Sequence, residues 1–219
     1  PDCCNFIEQF ISTIPLSAKY LMHRFPIAFV QRFKAAMNQL QPVSNETLEQ
    51  FLAHFELMEV KKSTILLREG EVCRHLYFIL KGSIRCFMHD NQGREINLHF
   101  YFEDELVSEF KSLRLQKPSS RNLITLSACN LLKVARPDYL LMFEQNIEFT
   151  QAAFRFFQEL YIAEEAHSEM LKKLTAEERY LHVCTHHPHL LQRVSLTQLA
   201  SWLGTSRESL SRIRARLNN

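Results

Sequence analysis

The chain is poor in glycine: only four of its 219 residues. No dinucleotide loop of the G-x-G-x-x-G type, no P-loop, no G-x-S-x-G elbow and no H-E-x-x-H pair occurs, so the enzyme classes those motifs mark lack their parts. We expect no catalytic activity. Six cysteines (Cys3, Cys4, Cys73, Cys86, Cys129, Cys184) include no C-x-x-C and no set with zinc spacing. Neither a zinc site nor an iron–sulfur cluster is expected, and the chain reads as reduced and cytoplasmic. Long apolar runs are missing too. "FISTIPLSAKYLMHRFPIAFV" is broken by Pro15, Lys19, His23, Arg24 and Pro26, which suits neither a membrane span nor a secretion signal. Net charge is only +2 and points to no particular partner.

What is present is a globular composition, with 46% hydrophobic and 23% charged residues. Charge is concentrated at one place. "GTSRESLSRIRARL", Gly204 to Leu217, carries Arg207, Arg212, Arg214 and Arg216 against Glu208. Before it, "SLTQLASWL" has Leu199, Ala200 and Leu203 on one helical face. Ser206 suits an N-cap, and Leu210, Ile213 and Leu217 form a buried stripe, with Arg207, Glu208, Ser211, Arg212 and Arg214 off it. Two short helices joined at Gly204 are the pattern of a helix-turn-helix. Arg is shaped for guanine O6 and N7, and Glu can accept from cytosine N4. The bland reading of the same residues is a solvated basic tail.

Upstream, the hydrophobic period changes twice. The first forty residues suggest short helices, roughly Asn5–Ser12 and Pro26–Gln39. Ser44 caps a helix over Asn45–His54. From Val60 to Ala135, short alternating runs are broken by Gly70, Gly82 and "DNQG", which are strand and hairpin signals and suggest a β-roll or barrel. Pro137 opens a short helix, and a long helix follows from Asn146 to about Leu174 without Gly or Pro. It carries two apolar stripes: Phe149, Ala153, Phe156, Leu160, Ala163, His167, Met170 and Leu174 at heptad spacing, and Ile147, Phe154, Phe157, Tyr161 and Leu171. A helix apolar on two sides must bury both. The heptad stripe suits a partner helix, so Phe149, Phe156, Leu160 and Met170 are the expected dimer seam. Thr175 and Glu178 form a capping-box pattern that restarts a helix, and "HHPH" ends it. His182 and His186 stand at i, i+4, a metal-capable spacing. No Glu follows His182 and no Cys or carboxylate completes a set, so no metal is expected.

This order (helix, β-roll, long helix, helix-turn-helix) resembles the Crp/Fnr family of bacterial transcription regulators from about Pro42 to Leu217. "GTSRESLSR" is similar to that family's recognition helix, in which Arg, Glu and a second Arg read base edges; Arg207, Glu208 and Arg212 occupy those places. "ILLREGEVCRHLYFILKGSIRCF" resembles its cyclic-nucleotide-binding-like roll. The resemblance implies a cytoplasmic homodimer whose partners are double-stranded DNA and RNA polymerase, with no membrane partner. The fold it implies is α+β: an N-terminal helical extension (1–41), a roll (42–145), a dimerisation helix (146–174) and an all-α helix-turn-helix domain (175–219) without the family's β-hairpin wing. It also implies a ligand pocket at Ser108, Glu109, Ser119, Ser120 and Arg121, but with departures. Glu109 stands where the family's glutamate holds the ribose. Ser119 falls where the phosphate-binding arginine belongs, and Arg121 lies about 7 Å further along a strand. Glu164 and Glu165 lie where the long helix would meet the base, and buried acids disfavour an anion. Cyclic AMP is therefore an improbable cofactor, and an unknown small-molecule effector is the expectation. The rival is a sensory or scaffolding β-roll that binds a small molecule or protein and whose tail no longer reads DNA.

Overall fold

A computed structural model of the protein describes residues 24–217. The proposed helix over Asn5–Ser12 lies outside them. The chain runs α1 (Ile27–Leu40), α2 (Asn45–Ala53), β1 (Glu56–Val60), β2 (Ile65–Leu67), β3 (His75–Lys81), β4 (Ile84–His89), β5 (Glu95–Tyr101) and β6 (Leu106–Val107). Then come α3 (Phe110–Leu115), β7 (Asn122–Thr125), β8 (Cys129–Ala135), α4 (Arg136–Gln145) and α5 (Ile147–Lys173). The last elements are α6 (Ala176–His186), α7 (Pro188–Arg193), α8 (Leu196–Trp202) and α9 (Arg207–Leu217). Two antiparallel four-stranded sheets, ordered β1-β8-β3-β6 and β2-β7-β4-β5, form the α+β roll expected from the alternating runs. Gly82, at φ +104°, makes the β3–β4 turn beside Cys129. A Cβ there would lie 2.5 Å from the Cys129 sulfur and 2.6 Å from the Ala128 carbonyl, so no other residue fits without a shift.

Burial divides into two clusters. The first fills the roll and takes in Phe25, Phe33 and Met37 from the N-terminal segment, with Phe33 edge-on to Phe78 at 5.0 Å. Cys73, Cys86 and Cys129 are buried free thiols that pack as small hydrophobes. The second cluster joins Phe102 of the roll to Met170 and the residues of α6–α9. The 27-residue α5 connects them, a rod of roughly 40 Å. Asn146 caps it through the Phe149 N–H at 3.0 Å.

Which face of α5 turns inward differs from the expectation. Phe149 and Met170 are both 7% exposed and belong to the two intrachain clusters. Phe156 packs on Phe110 at 5.7 Å, and Leu160 lines a cavity against the roll. The other stripe is the open one: Ile147 is 71% exposed, Phe154 64% and Tyr161 67%. A heptad spacing specifies a straight apolar seam, and the chain's own roll and terminal helices satisfy it as well as a partner helix does.

Candidate nucleic-acid interface and ligand cradle

The helix-turn-helix is built by local hydrogen bonds. Ser195 and Gln198 form a full capping box at the start of α8. The chain then turns at Gly204, φ +63°, where the Thr205 N–H donates to the Ala200 carbonyl at 2.9 Å. Ser206 accepts the Ser209 N–H at 3.1 Å and so starts α9. Leu210 and Ile213 enter the core against Val183, Leu199, Ala200 and Leu203. That burial fixes the rotation of α9 and sends Ser206, Arg207, Glu208, Ser211, Arg212 and Arg214 to the exposed side.

The arginines then part company. Arg216 pairs with Glu177 at 2.6 Å, and Arg214 lies beside Tyr180. Arg207 and Arg212 form no ion pair among the described residues. A residue that the sequence does not flag sets the unit's orientation. Arg179 donates to the carbonyls of Leu171, Leu174 and Leu203, tying the end of α5 to the turn after α8. A guanidinium with five donors can hold three carbonyls at once, yet no spacing signal announces it.

In the roll, the cradle residues are brought together and largely turned on one another. Ser108 is buried and donates to the His75 carbonyl at 3.0 Å. Glu109 is 6% exposed, and its carboxylate accepts the Ser112 N–H at 2.7 Å, capping α3. The Ser119 hydroxyl accepts from the Arg121 N–H at 2.9 Å and donates to the Arg121 carbonyl at 2.8 Å, closing a tight turn, while Ser120 faces solvent. The Arg121 guanidinium points inward beside the Cys86 thiol, with Glu109 and Glu164 in electrostatic range. Burial pushes that thiol up to about 12, so it stays neutral.

The acids of α5 are also placed differently from the expectation. Glu164 accepts from His99 Nε2 at 2.9 Å, which lowers its pKa, and Glu165 is exposed. Neither is an unpaired buried charge. A cavity of about 790 Å³ lies beside them, walled by α1, β5, α5 and α6–α7 and mostly apolar. His182 and His186 stack at 4.2 Å, and among the described residues no group of three or more metal-ligating side chains is set to hold an ion. None of the described helices is long and apolar enough to cross a membrane.

Known proteins match this arrangement. Residues 57–146 match the model of the cyclic nucleotide-binding domain. The cAMP-activated global transcriptional regulator CRP of Salmonella typhimurium is 24% identical over 106 residues, 48% of this chain and 50% of that protein. Its counterpart in Pasteurella multocida is 23% identical over 108 residues, 49% and 52%. The match thus spans about half the length of these curated relatives. Among solved structures, the c-di-GMP responsive global regulator CLP of Xanthomonas campestris superposes with a TM-score of 0.66 at 23% identity, over 80% of this chain and 92% of that one. A putative Crp/Fnr regulator from Eubacterium rectale gives 0.65 at 14% identity, over 80% and 84%. At such identities the structural likeness speaks for the fold alone. Residues 57–146 thus match a cyclic nucleotide-binding domain, and the chain as a whole shares the fold of these solved regulators.

Proposed function

We propose that this chain is a cytoplasmic, DNA-binding transcription regulator that acts as a homodimer. The observation that carries the reading is α9. Arg207, Glu208 and Arg212 stand exposed on a helix held by a Gly204 turn, and among the described residues no acid pairs with Arg207 or Arg212. An arginine that reads a guanine must be free to present its fork, and these two are. In this reading α9 enters the major groove by its N-terminal third, with Ser206, Ser211 and Arg214 at its flanks. Two such helices in a dimer address half-sites about one DNA turn, ~34 Å, apart. RNA polymerase is the further partner, and no catalytic step is assigned.

The dimer seam runs along the open stripe of α5, through Ile147, Phe154 and Tyr161, which recur every seven residues and face solvent in the monomer. Phe149, Phe156, Leu160 and Met170 support it from the inner side. The sensor takes a small-molecule effector at Ser108–Arg121, with Arg121 as the cation that would meet an anionic group. Cyclic AMP is a poor candidate, since Glu109 caps α3 and Arg121 already lies against Cys86.

The test is selection of bound duplexes from a random pool by the purified dimer. A palindromic consensus with half-sites one turn apart supports the reading. Enrichment of no sequence, or binding that Arg207→Ala and Arg212→Ala weaken equally on selected and scrambled DNA, overturns it.

A further inference from the structure

The cavity beside α5 is separate from the nucleotide cradle. None of Ser108, Glu109, Ser119, Ser120 and Arg121 lines it. At about 790 Å³ it falls within the roughly 300–1,000 Å³ of small-molecule sites. Three parts of the chain meet there: β5 with the turn that follows it, the middle of α5, and the terminal helices through His182, His187 and Trp202.

A second copy of α5 on the exposed stripe leaves this space empty. The α5 wall of the cavity is Phe156, Leu160, Ala163 and His167, at three- and four-residue steps along one face. At about 100° of rotation per residue, Phe154 points roughly opposite to Phe156, and Tyr161 roughly opposite to Ala163. A partner helix that covers Phe154 and Tyr161 therefore lies across α5 from the cavity.

The charge of the walls selects what can enter. Five carboxylates (Asp104, Glu105, Glu159, Glu164 and Glu169) line the cavity against one ammonium, Lys173, and no arginine. Asp104 is paired with Arg32, Glu164 with His99, and Glu169 with Lys173. That leaves Glu105 and Glu159 without an ion pair among the described residues. Glu105 is open to the cavity, and its carboxylate accepts the Phe102 N–H at 2.9 Å. Arg193 acts on it from nearby but already holds both oxygens of Glu103. The remaining wall is aromatic and aliphatic, with Phe100, Phe156 and Trp202 half-buried around the space. Burial keeps the imidazoles of His167, His187 and His189 below their ordinary pKa, so these rings add no positive charge in neutral solution.

We propose that this cavity is a second ligand site and that it takes an apolar organic cation, a hydrophobic molecule whose ammonium or similar charge meets Glu105 while aromatic walls surround the rest. Aromatic faces attract a cation through their quadrupole, and an anion finds no free partner on these walls. Burial pushes Glu105 up to about 7, so its charge is costly until a cation stands beside it. An occupant touches the roll, α5 and the terminal helices together, so by linkage it stabilises the arrangement in which the three meet.

Neither the site nor its test depends on DNA reading. Tetraphenylphosphonium and tetraphenylborate are nearly equal in size and apolarity and opposite in charge. Each is titrated into the full chain at pH 8 by calorimetry, without DNA, while the emission of Trp202, the only tryptophan, is followed in parallel. Tetraphenylphosphonium should bind at one site per chain, about tenfold or more tighter than tetraphenylborate, and should change the Trp202 emission. Glu105→Gln should remove most of that preference and leave the binding of tetraphenylborate in place. Ala163→Phe, at an exposed helical position, adds bulk inside the cavity and should weaken both ions by about tenfold. Circular dichroism checks that both variants keep their helices. Three results overturn the proposal: no binding of tetraphenylphosphonium by the full chain, equal affinities for the two ions, or affinities that neither variant changes. The first would mean that another part of the chain or a second copy closes the cavity to small molecules.

Discussion

Two regions of the molecule carry an arginine beside a glutamate, and the chain treats them in opposite ways. In the roll, Glu109 caps α3 through the Ser112 N–H, and Arg121 lies beside the neutral Cys86 thiol. On α9, Arg207 and Glu208 project from an exposed face, and Arg212, further along the helix, forms no ion pair among the described residues. A group already hydrogen-bonded must give up that bond to bind anything else, whereas a solvated one exchanges only water. On the proposed reading, recognition falls to α9, and Glu109 must give up its cap before the roll cradle binds a ligand through it.

The comparison can be broken most severely through the proposed dimer, which would present two copies of α9. Phe154→Asp with Tyr161→Asp places charges at the open seam and should cost the dimer about 3–5 kcal/mol, the scale of an uncompensated buried charge. Sedimentation should then show monomers, whereas an unchanged dimer would place the seam elsewhere. Next in size are the readers. Arg207→Ala or Arg212→Ala should each cost roughly 1–3 kcal/mol on the selected operator and relax base choice there, which titration against operator and scrambled duplexes checks.

The cradle should respond differently. Glu109→Ala removes a helix cap and should lower stability by roughly 0.5–2 kcal/mol in thermal or denaturant unfolding, with operator choice unchanged. Calorimetry with cyclic AMP should show no heat below about millimolar, a binding free energy of about 4 kcal/mol. Micromolar binding would mean that Arg121 leaves Cys86 for the phosphate at little expense. Smallest of all is Arg216→Ala. Its pair with Glu177 is surface-exposed, so stability should change by at most about 1 kcal/mol. Any loss of DNA affinity should be alike on all sequences, with a flatter salt slope.

Much of this was legible along the chain. Alternation broken at Gly70, Gly82 and "DNQG" announces the strands of a roll, because side chains alternate faces with period two. The start of α5 after Asn146, the capping box at Thr175 and the N-cap at Ser206 are legible because capping is local chemistry within four residues. The stripe of Leu210 and Ile213 sets which side of α9 is exposed. The short helix α7, opened by Pro188, was not read: "HHPH" ends one helix and begins another within the same few residues.

What the sequence by itself determined is thus most of the elements, their order and the exposed arginine face of α9, all of which follow from interactions between near neighbours. Only the tertiary structure decided which stripe of α5 faces inward, since a heptad seam does not name its partner. It also decided that Arg179 ties the long helix to the turn and that Arg193 meets Glu103 across 90 residues of chain. The gathering of His167 and His187 around Trp202 belongs to the same class. The physical reason is common to all of these. Each joins groups whose separation along the chain carries no periodic signal, and each forms only once two hydrophobic clusters have fixed where the helices lie.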